Sequence, residues 1–239
     1  GIAIKGSALH SVAVGSGAGA SGQSWVGVAV GRAAGAVCQG PAAVAVGHTA
    51  GLYCQSQGAV AVGPRAGQYC QYEYSVAVGQ SAGYGSQSCG AVAVGPYAGE
   101  SCQGRHSVAV GACAGNCSQQ YLAVAVGRAA GVCAQSISAV AVGHLAGGFK
   151  QGEGAVAIGA RAGNNCQGNY AVAIGNYAGY SCQAENSIVI NATGCYVENT
   201  VASTTVIKPV RVVTGGSAPC GFHATYYNPT TGELIVVTP

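Results

Sequence analysis

The chain has 239 residues, of which 41 are glycine and 6% are charged, with a net charge of +3. A typical soluble domain carries about 25% charged residues and about 7% glycine, so an ordinary globular domain is the wrong starting point. Mean hydropathy is +0.34, yet no apolar run approaches the ~20 residues that span a bilayer, and so sparse a positive charge does not suit a nucleic-acid groove. Abundant valine and 13 tyrosines argue equally against disorder.

The first residues, Gly1-Ile-Ala-Ile, read as a strand of an incomplete rung. With no cap, signal peptide or initiator Met before it, this start suits a processed or trimmed chain, or one that stacks on a neighbour.

From Val12 onward the sequence is periodic. Val-Ala-Val/Ile-Gly ends at Gly15 and recurs every 16 residues to Gly175, eleven copies without insertion or deletion. Three residues after each glycine comes alanine, then a second glycine. Eight residues after the first glycine comes glutamine: Gln23, Gln39, Gln55, Gln71, Gln87, Gln103, Gln119, Gln135, Gln151, Gln167 and Gln183. A 16-residue unit is too short for two packed helices, and its glycines weaken any helix. Alternating Val-Ala-Val marks a strand, the glycine permits a tight corner, and the Gln segment fits a shorter return strand. One repeat is therefore one turn of a parallel β-solenoid. Rungs spaced ~4.8 Å apart make eleven of them a rod roughly 50 Å long. The expected fold is all-β: a left-handed β-roll or β-helix over residues 1–186, then a capping rung and a small β-rich module over 187–239.

The stacked phases predict ladders. The stiff β-branched residues, Val12, Val14, Val44, Val46, Val92, Val94, Val172 and Ile174 among them, are expected to fill the coil interior. The glutamines are expected to form an amide ladder, as in cross-β stacks, the alternative being a plain polar turn residue. The opposite strand face is then Ala13, Ala29, Ala45, Ala61, Ala77, Ala93, Ala109, Ala125, Ala141, Ala157 and Ala173. A solvent-facing strand would carry larger polar residues there, so this strip of small residues is expected to be buried against other copies of the chain. A flat Ala face left open to bind ordered water or ice is the competing reading, and the scarcity of Thr in the repeats counts against it. Charge and aromatic residues sit at the corners, where tyrosines could bind glycans, pack neighbouring rods or merely shield the turns.

Twelve cysteines suggest an oxidising compartment. Cys38, Cys54, Cys70, Cys102, Cys166 and Cys182 share one phase just before the glutamine, and Cys117 and Cys133 lie close to it. Rung spacing falls inside the Cα window for a disulfide. Pairs such as Cys166 with Cys182, Cys102 with Cys117 and Cys117 with Cys133 are candidates, as are bridges between chains. No CxxC pairs or matched His spacing suggest zinc, and no cofactor is expected. Sequons at Asn116 and Asn191 are candidate glycosylation sites.

Catalytic patterns fail on context. Gly17-Ala-Gly19-Ala-Ser-Gly22 matches GxGxxG, but no helix follows it. The chain has no aspartate, so a Ser-His-Asp triad is absent, and its six glutamates are scattered singly. No enzymatic activity is expected.

After Gln183 the repeat changes. Ser187-Ile-Val-Ile-Asn191 takes the strand slot with larger side chains and Asn for Gly, as a capping rung would. Residues 201–213 read as one or two strands. Residues 224–237 read as a hairpin around a Pro/Gly turn.

The repeats resemble the β-roll repeats of trimeric autotransporter adhesin heads, whose unit runs Ser-Val-Ala-Ile-Gly, and more closely those of phage and giant-virus fibre proteins, Ala-Ile-Ala-Ile-Gly-x-x-Ala-Gly-x-x-x-Gln. The resemblance covers about residues 1–195. In the tail, Lys208-Pro-Val-Arg211 and Tyr226-Tyr-Asn-Pro-Thr-Thr-Gly-Glu233 are similar to the segment preceding the self-cleaving chaperone domain of such fibres, so an end at Pro239 suits a matured product. The resemblance implies a homotrimeric, extracellular or virion-surface attachment rod, without membrane insertion. Its partners would be further copies, including head-to-tail filaments, and a cell-surface glycan or receptor. The 16-residue unit, against 14 in the adhesins, and the many cysteines depart from that pattern.

Overall fold

The structure, a computed structural model, describes residues 10–209 and the strands Thr225–Asn228 and Glu233–Val236. The expected Gly1–Ile4 strand and residues 210–213 lie outside the described residues. The chain divides into two units, residues 1–208 and 209–239. In the second, the two strands pair antiparallel, Tyr226 opposite Ile235 and Asn228 opposite Glu233.

The first unit is an all-β parallel solenoid. Each Val-Ala-Val/Ile triplet is a strand, from Val12–Val14 to Val172–Ile174, paired in register with the triplet 16 residues on. Parallel pairing continues past the repeats: Val172 pairs with Ile188, and Ile188 with Thr205, so the long sheet has 13 strands and runs to Lys208. The solenoid thus extends beyond residue 186. The return strands form a second parallel sheet of nine, from Val37–Gln39 to Asn165–Gln167. Between the sheets the corners hydrogen-bond coil to coil as well, for example Thr49 N to Arg32 O at 2.9 Å and Arg65 N to His48 O at 2.9 Å. Many corner donors are thereby paired with the neighbouring coil, beyond those satisfied in the two sheets.

The interior reverses the expected sides of the strand. Ala29, Ala45, Ala61 and every later member of that column to Ala173 are 0% exposed, as are the corner alanines Ala34 to Ala178. Val14, Val44, Val46, Val92, Val94 and Val172 are only partly buried, and Val12 and Ile174 are 43% and 38% exposed. The valines therefore do not form the core ladder, and the Ala13–Ala173 column is not an oligomer face. It is the core. A flat Ala face open to water, which ordered-water binding required, is likewise not on the surface.

Coil width is the reason. A Cβ placed on Gly115 would lie 3.2 Å from the Ala109 Cβ across the coil and 2.8 Å from Gln119 Oε1. At interior packing density that leaves no room for two γ-methyls, so the larger residue of each pair must point outward. The first coil after the repeats shows the same constraint relaxed. There Val189 replaces the inner alanine and is fully buried, while the shorter Asn199 replaces the inner glutamine. Volume gained on one wall is given back on the other, as jigsaw packing demands.

The position two before each inner alanine also points inward. Ala43, Ala59, Ser75 and Ser107 are all 0% exposed. Where it is serine, the hydroxyl donates to a carbonyl three residues back, Ser75 to Tyr72 O and Ser107 to Gly104 O, each at 2.7 Å. A buried hydroxyl is tolerated there because it is paired.

Candidate functional site

With the interior of the solenoid sealed, its outward surfaces among the described residues are the valine face, the corners and the cysteine column; the glutamine column behind them holds each coil's shape.

The glutamines lie inside the coil. From Gln39 to Gln183 each Nε2 donates to the Oε1 of the next, at 3.0–3.2 Å, an unbroken amide ladder. The same nitrogens donate to a valine carbonyl eleven residues back, as Gln119 does to Val108 O at 2.8 Å, and most also to an alanine carbonyl four residues ahead, as Gln119 does to Ala123 O at 3.2 Å. Gln23 bonds Val12 O and Gly27 O instead and stands outside the ladder. The amides thus join the two sheets through the middle of each coil and fill the space the small alanines leave.

The valine face is a pair of columns on the long sheet, continued by Ile188 and Ile190, both 38% exposed. It carries no charged residue over the eleven repeats.

The corners carry the polar and aromatic groups. Arg32 donates to His48 Nε2 at 3.2 Å and Arg128 to His144 Nε2 at 3.1 Å, each one coil apart. Tyr53 stacks on Tyr69 at 5.6 Å, and Tyr69 meets Tyr84 edge-on at 5.1 Å. The hydrogen bond to Tyr84 raises the Tyr69 hydroxyl above its ordinary pKa. Near the C-terminal end of the repeats, Tyr177, Tyr180 and Tyr196 form an edge-on cluster with centroids 4.5–5.5 Å apart. The Arg161 guanidinium lies 5.3 Å from the Tyr177 ring centroid. Burial is the first cause, and Tyr177 the next, of the raised pKa of Tyr196.

Many corner residues hold positive φ, including Arg65 (60°), Tyr97 (58°) and Leu122 (57°), and so does Cys54 (48°) in the middle of the return strand Tyr53–Gln55. Such left-handed residues each cost of order 1 kcal/mol or more, and stacking identical coils holds them in place. Nothing in their residue types announced this, since only glycine, Asn and Asp visit that region readily.

None of the eleven described cysteines is disulfide-bonded. Register sorts the candidates. Cys117 pairs directly with Cys133, and Cys38 lies beside Cys54 between the paired Val37–Tyr53 and Gln39–Gln55. Cys54 neighbours Cys70, and Cys166 neighbours Cys182. Cys102 does not meet Cys117; it pairs with Ser86 and lies beside Ser118. Cys117 sits one position before that ladder, so the Cys102–Cys117 bridge fails on register.

Both sequon side chains are engaged. Asn116 Nδ2 donates to Tyr97 O at 3.2 Å and to Glu100 Oε2 at 2.8 Å. Asn191 is 3% exposed and donates to Asn176 O and Cys195 O at 2.6 and 2.7 Å. Its Oδ1 accepts from Thr193 N and Oγ1. Asn191 therefore caps the glycine column, and the folded coil has no space for a glycan on it.

Two clefts open on the return-strand side. One, of about 400 Å³, is bordered by Lys150, Cys166, Asn169 and Glu185; the other, of about 200 Å³, by Cys54, Ser56, Cys70 and Tyr72. Among the described residues no group of three or more His, Cys, Asp or Glu converges as metal ligands, and no helix is long and apolar enough to cross a membrane. Comparison with protein-family models, with curated proteins and with solved structures finds no match to this chain.

Proposed function

We propose that the protein is a structural rod, the subunit of an extracellular or surface fibre, and that it self-associates through its valine face as a homotrimer. The observation that carries this reading is the uncharged double column of half-exposed Val and Ile along the long sheet. Eleven rungs at ~4.8 Å, and two columns about 7 Å apart with their side-chain width, make a strip on the order of 50 by 11 Å. That is about 550 Å², at the upper end of the largest apolar patch usual on a monomer. With the flanking corners it approaches the ~800 Å² per partner of a stable interface.

A second copy fits this strip better than an unrelated protein does. Its side chains repeat at the same rung spacing, so the two columns interdigitate along their whole length, as in a steric zipper. Three copies around one axis would cover each strip, and threefold assembly is what the resemblance to adhesin heads and viral fibres implies. The rod's own stiffness comes from the amide ladder and the coil-to-coil backbone bonds. Tyrosine clusters at the corners, Tyr53–Tyr69–Tyr84 and Tyr177–Tyr180–Tyr196, remain outside the strip and are the surfaces for a glycan or receptor.

Sedimentation under reducing conditions tests the assembly. A species of three times the 23.2 kDa chain mass, with the frictional ratio of an elongated particle, is expected. A compact monomer at micromolar concentration overturns it.

A further inference from the structure

The outward cysteine column has a geometry that neither the core nor the valine face uses. Cys38, Cys54 and Cys70 are all exposed and each stands immediately before one of the in-register glutamines Gln39, Gln55 and Gln71 on three successive coils of the return sheet. Burial first, and then the Cys70 and Cys38 thiols on the adjacent coils, hold Cys54 above the ordinary thiol pKa. The cleft of about 200 Å³ opens directly beside Cys54 and Cys70.

Side chains at one phase of parallel, in-register strands run side by side at the rung spacing, ~4.8 Å. A disulfide requires Cβ atoms about 3.5–4.5 Å apart and sulfurs about 2.05 Å apart, so these side chains would have to lean together out of register. A two-coordinate metal bridge requires the opposite. Two metal–thiolate bonds of about the ~2.3 Å length seen at zinc, set in line, span ~4.6 Å, which is nearly the rung spacing itself. Four-coordinate zinc has no third or fourth ligand here, since no larger ligand group converges among the described residues. Soft thiolates select soft ions such as copper(I).

We propose that Cys54 and Cys70, with Cys38 extending the column, form a two-coordinate site for a soft monovalent cation of the copper(I) or silver(I) type. Two thiols each release a proton, two sulfur–metal bonds form, and no oxidation state changes, so binding strengthens as pH rises. Two further pairs lie on adjacent coils: Cys117 pairs directly with Cys133, one position earlier in the coil, and Cys166 lies beside Cys182, next to the paired Asn165 and Ser181. Cys102 is the internal control: it is exposed and in the same column, but its in-register neighbours are Ser86 and Ser118.

The test uses the full chain, reduced and free of oxygen, titrated with one to four equivalents of silver(I) and pulsed with iodoacetamide, with each cysteine read by peptide mass. Alkylation of Cys54 and Cys70 should slow at least tenfold while that of Cys102 is unchanged, and zinc(II) should protect none of them. Cys54→Ser, an exposed change that leaves the coil intact, should abolish protection of Cys70. Equal protection of Cys102, or protection of Cys70 that survives Cys54→Ser, overturns the proposal.

Discussion

Ala157→Val and Ala160→Val make the same chemical change three residues apart in one coil, and the structure assigns them opposite consequences. Ala157 is 0% exposed, and Ala160 is exposed. A Cβ on Gly163, across the coil, would already stand 3.2 Å from the Ala157 Cβ, so two further methyls at Ala157 have nowhere to go. Overpacking of this kind costs about 1–3 kcal/mol in ordinary cores. A coil closed by coil-to-coil bonds has little freedom to widen, which places Ala157→Val near the upper figure, about 3 kcal/mol. Ala160→Val adds the same methyls at the surface and should stay within about 0.5 kcal/mol. With a urea m-value of about 3 kcal/mol/M, the inner change lowers the unfolding midpoint by about 1 M, and the outer change leaves it nearly fixed. Urea unfolding followed by far-UV circular dichroism reads both. Equal midpoints for the two variants, or a stabilised Ala157→Val, would refute an alanine-filled interior.

Other sites probe the amides, the glycines and the thiols. Gln103→Ala removes the donor to Val92 O, the donor to Gln119 and the acceptor for Gln87; Gln87 Nε2 keeps Val76 O and Ala91 O, so two groups lose a partner, and at about 1–3 kcal/mol each the change should cost about 2–6 kcal/mol by the same urea assay. Gly111→Ala places a Cβ 2.7 Å from the Gly127 carbonyl at a φ of +126°, a backbone clash no rotamer relieves, and limited proteolysis should cut that coil first. Cys54 should alkylate with an apparent pKa above the ordinary thiol range, because burial and then the Cys70 and Cys38 thiols disfavour its thiolate. A raised pKa means less thiolate at a given pH, so the rate rises later with pH, and Cys70→Ser should move the profile part of the way back down; no movement would contradict the contact.

The period, the parallel register and the glutamine ladder were legible because they are properties of repetition. A residue invariant at one phase over eleven coils has to stack on itself. Sidedness was harder, since Val and Ala are both apolar and alternation alone assigns two faces without saying which is inside. Transfer hydrophobicity favours valine within; the width of a 16-residue coil overrides it. A signal was present in the changes that are tolerated. Valine gives way to isoleucine at Ile158 and Ile174, where the side chain faces outward, whereas the inner alanine is kept through all eleven repeats and changes first at Val189, where glutamine shrinks to Asn199. Left-handed corners at Arg65, Tyr97 and Leu122 had no such signal, because their conformation is imposed by the stack and not by their own preferences. Cysteine pairing was partly legible, and Cys102 misled because a one-residue phase difference from Cys117 decides which side chains are neighbours.

Val108→Lys combined with Val110→Lys tests the central claim most directly. Both valines lie on the outward face of a central coil and are partly exposed, so two lysines there leave the alanine core and the amide ladder untouched. Sedimentation and circular dichroism on the same sample should show a β-rich chain that has lost its threefold mass and sediments as a folded monomer. An oligomer of unchanged mass carrying both lysines would contradict assembly through the valine face.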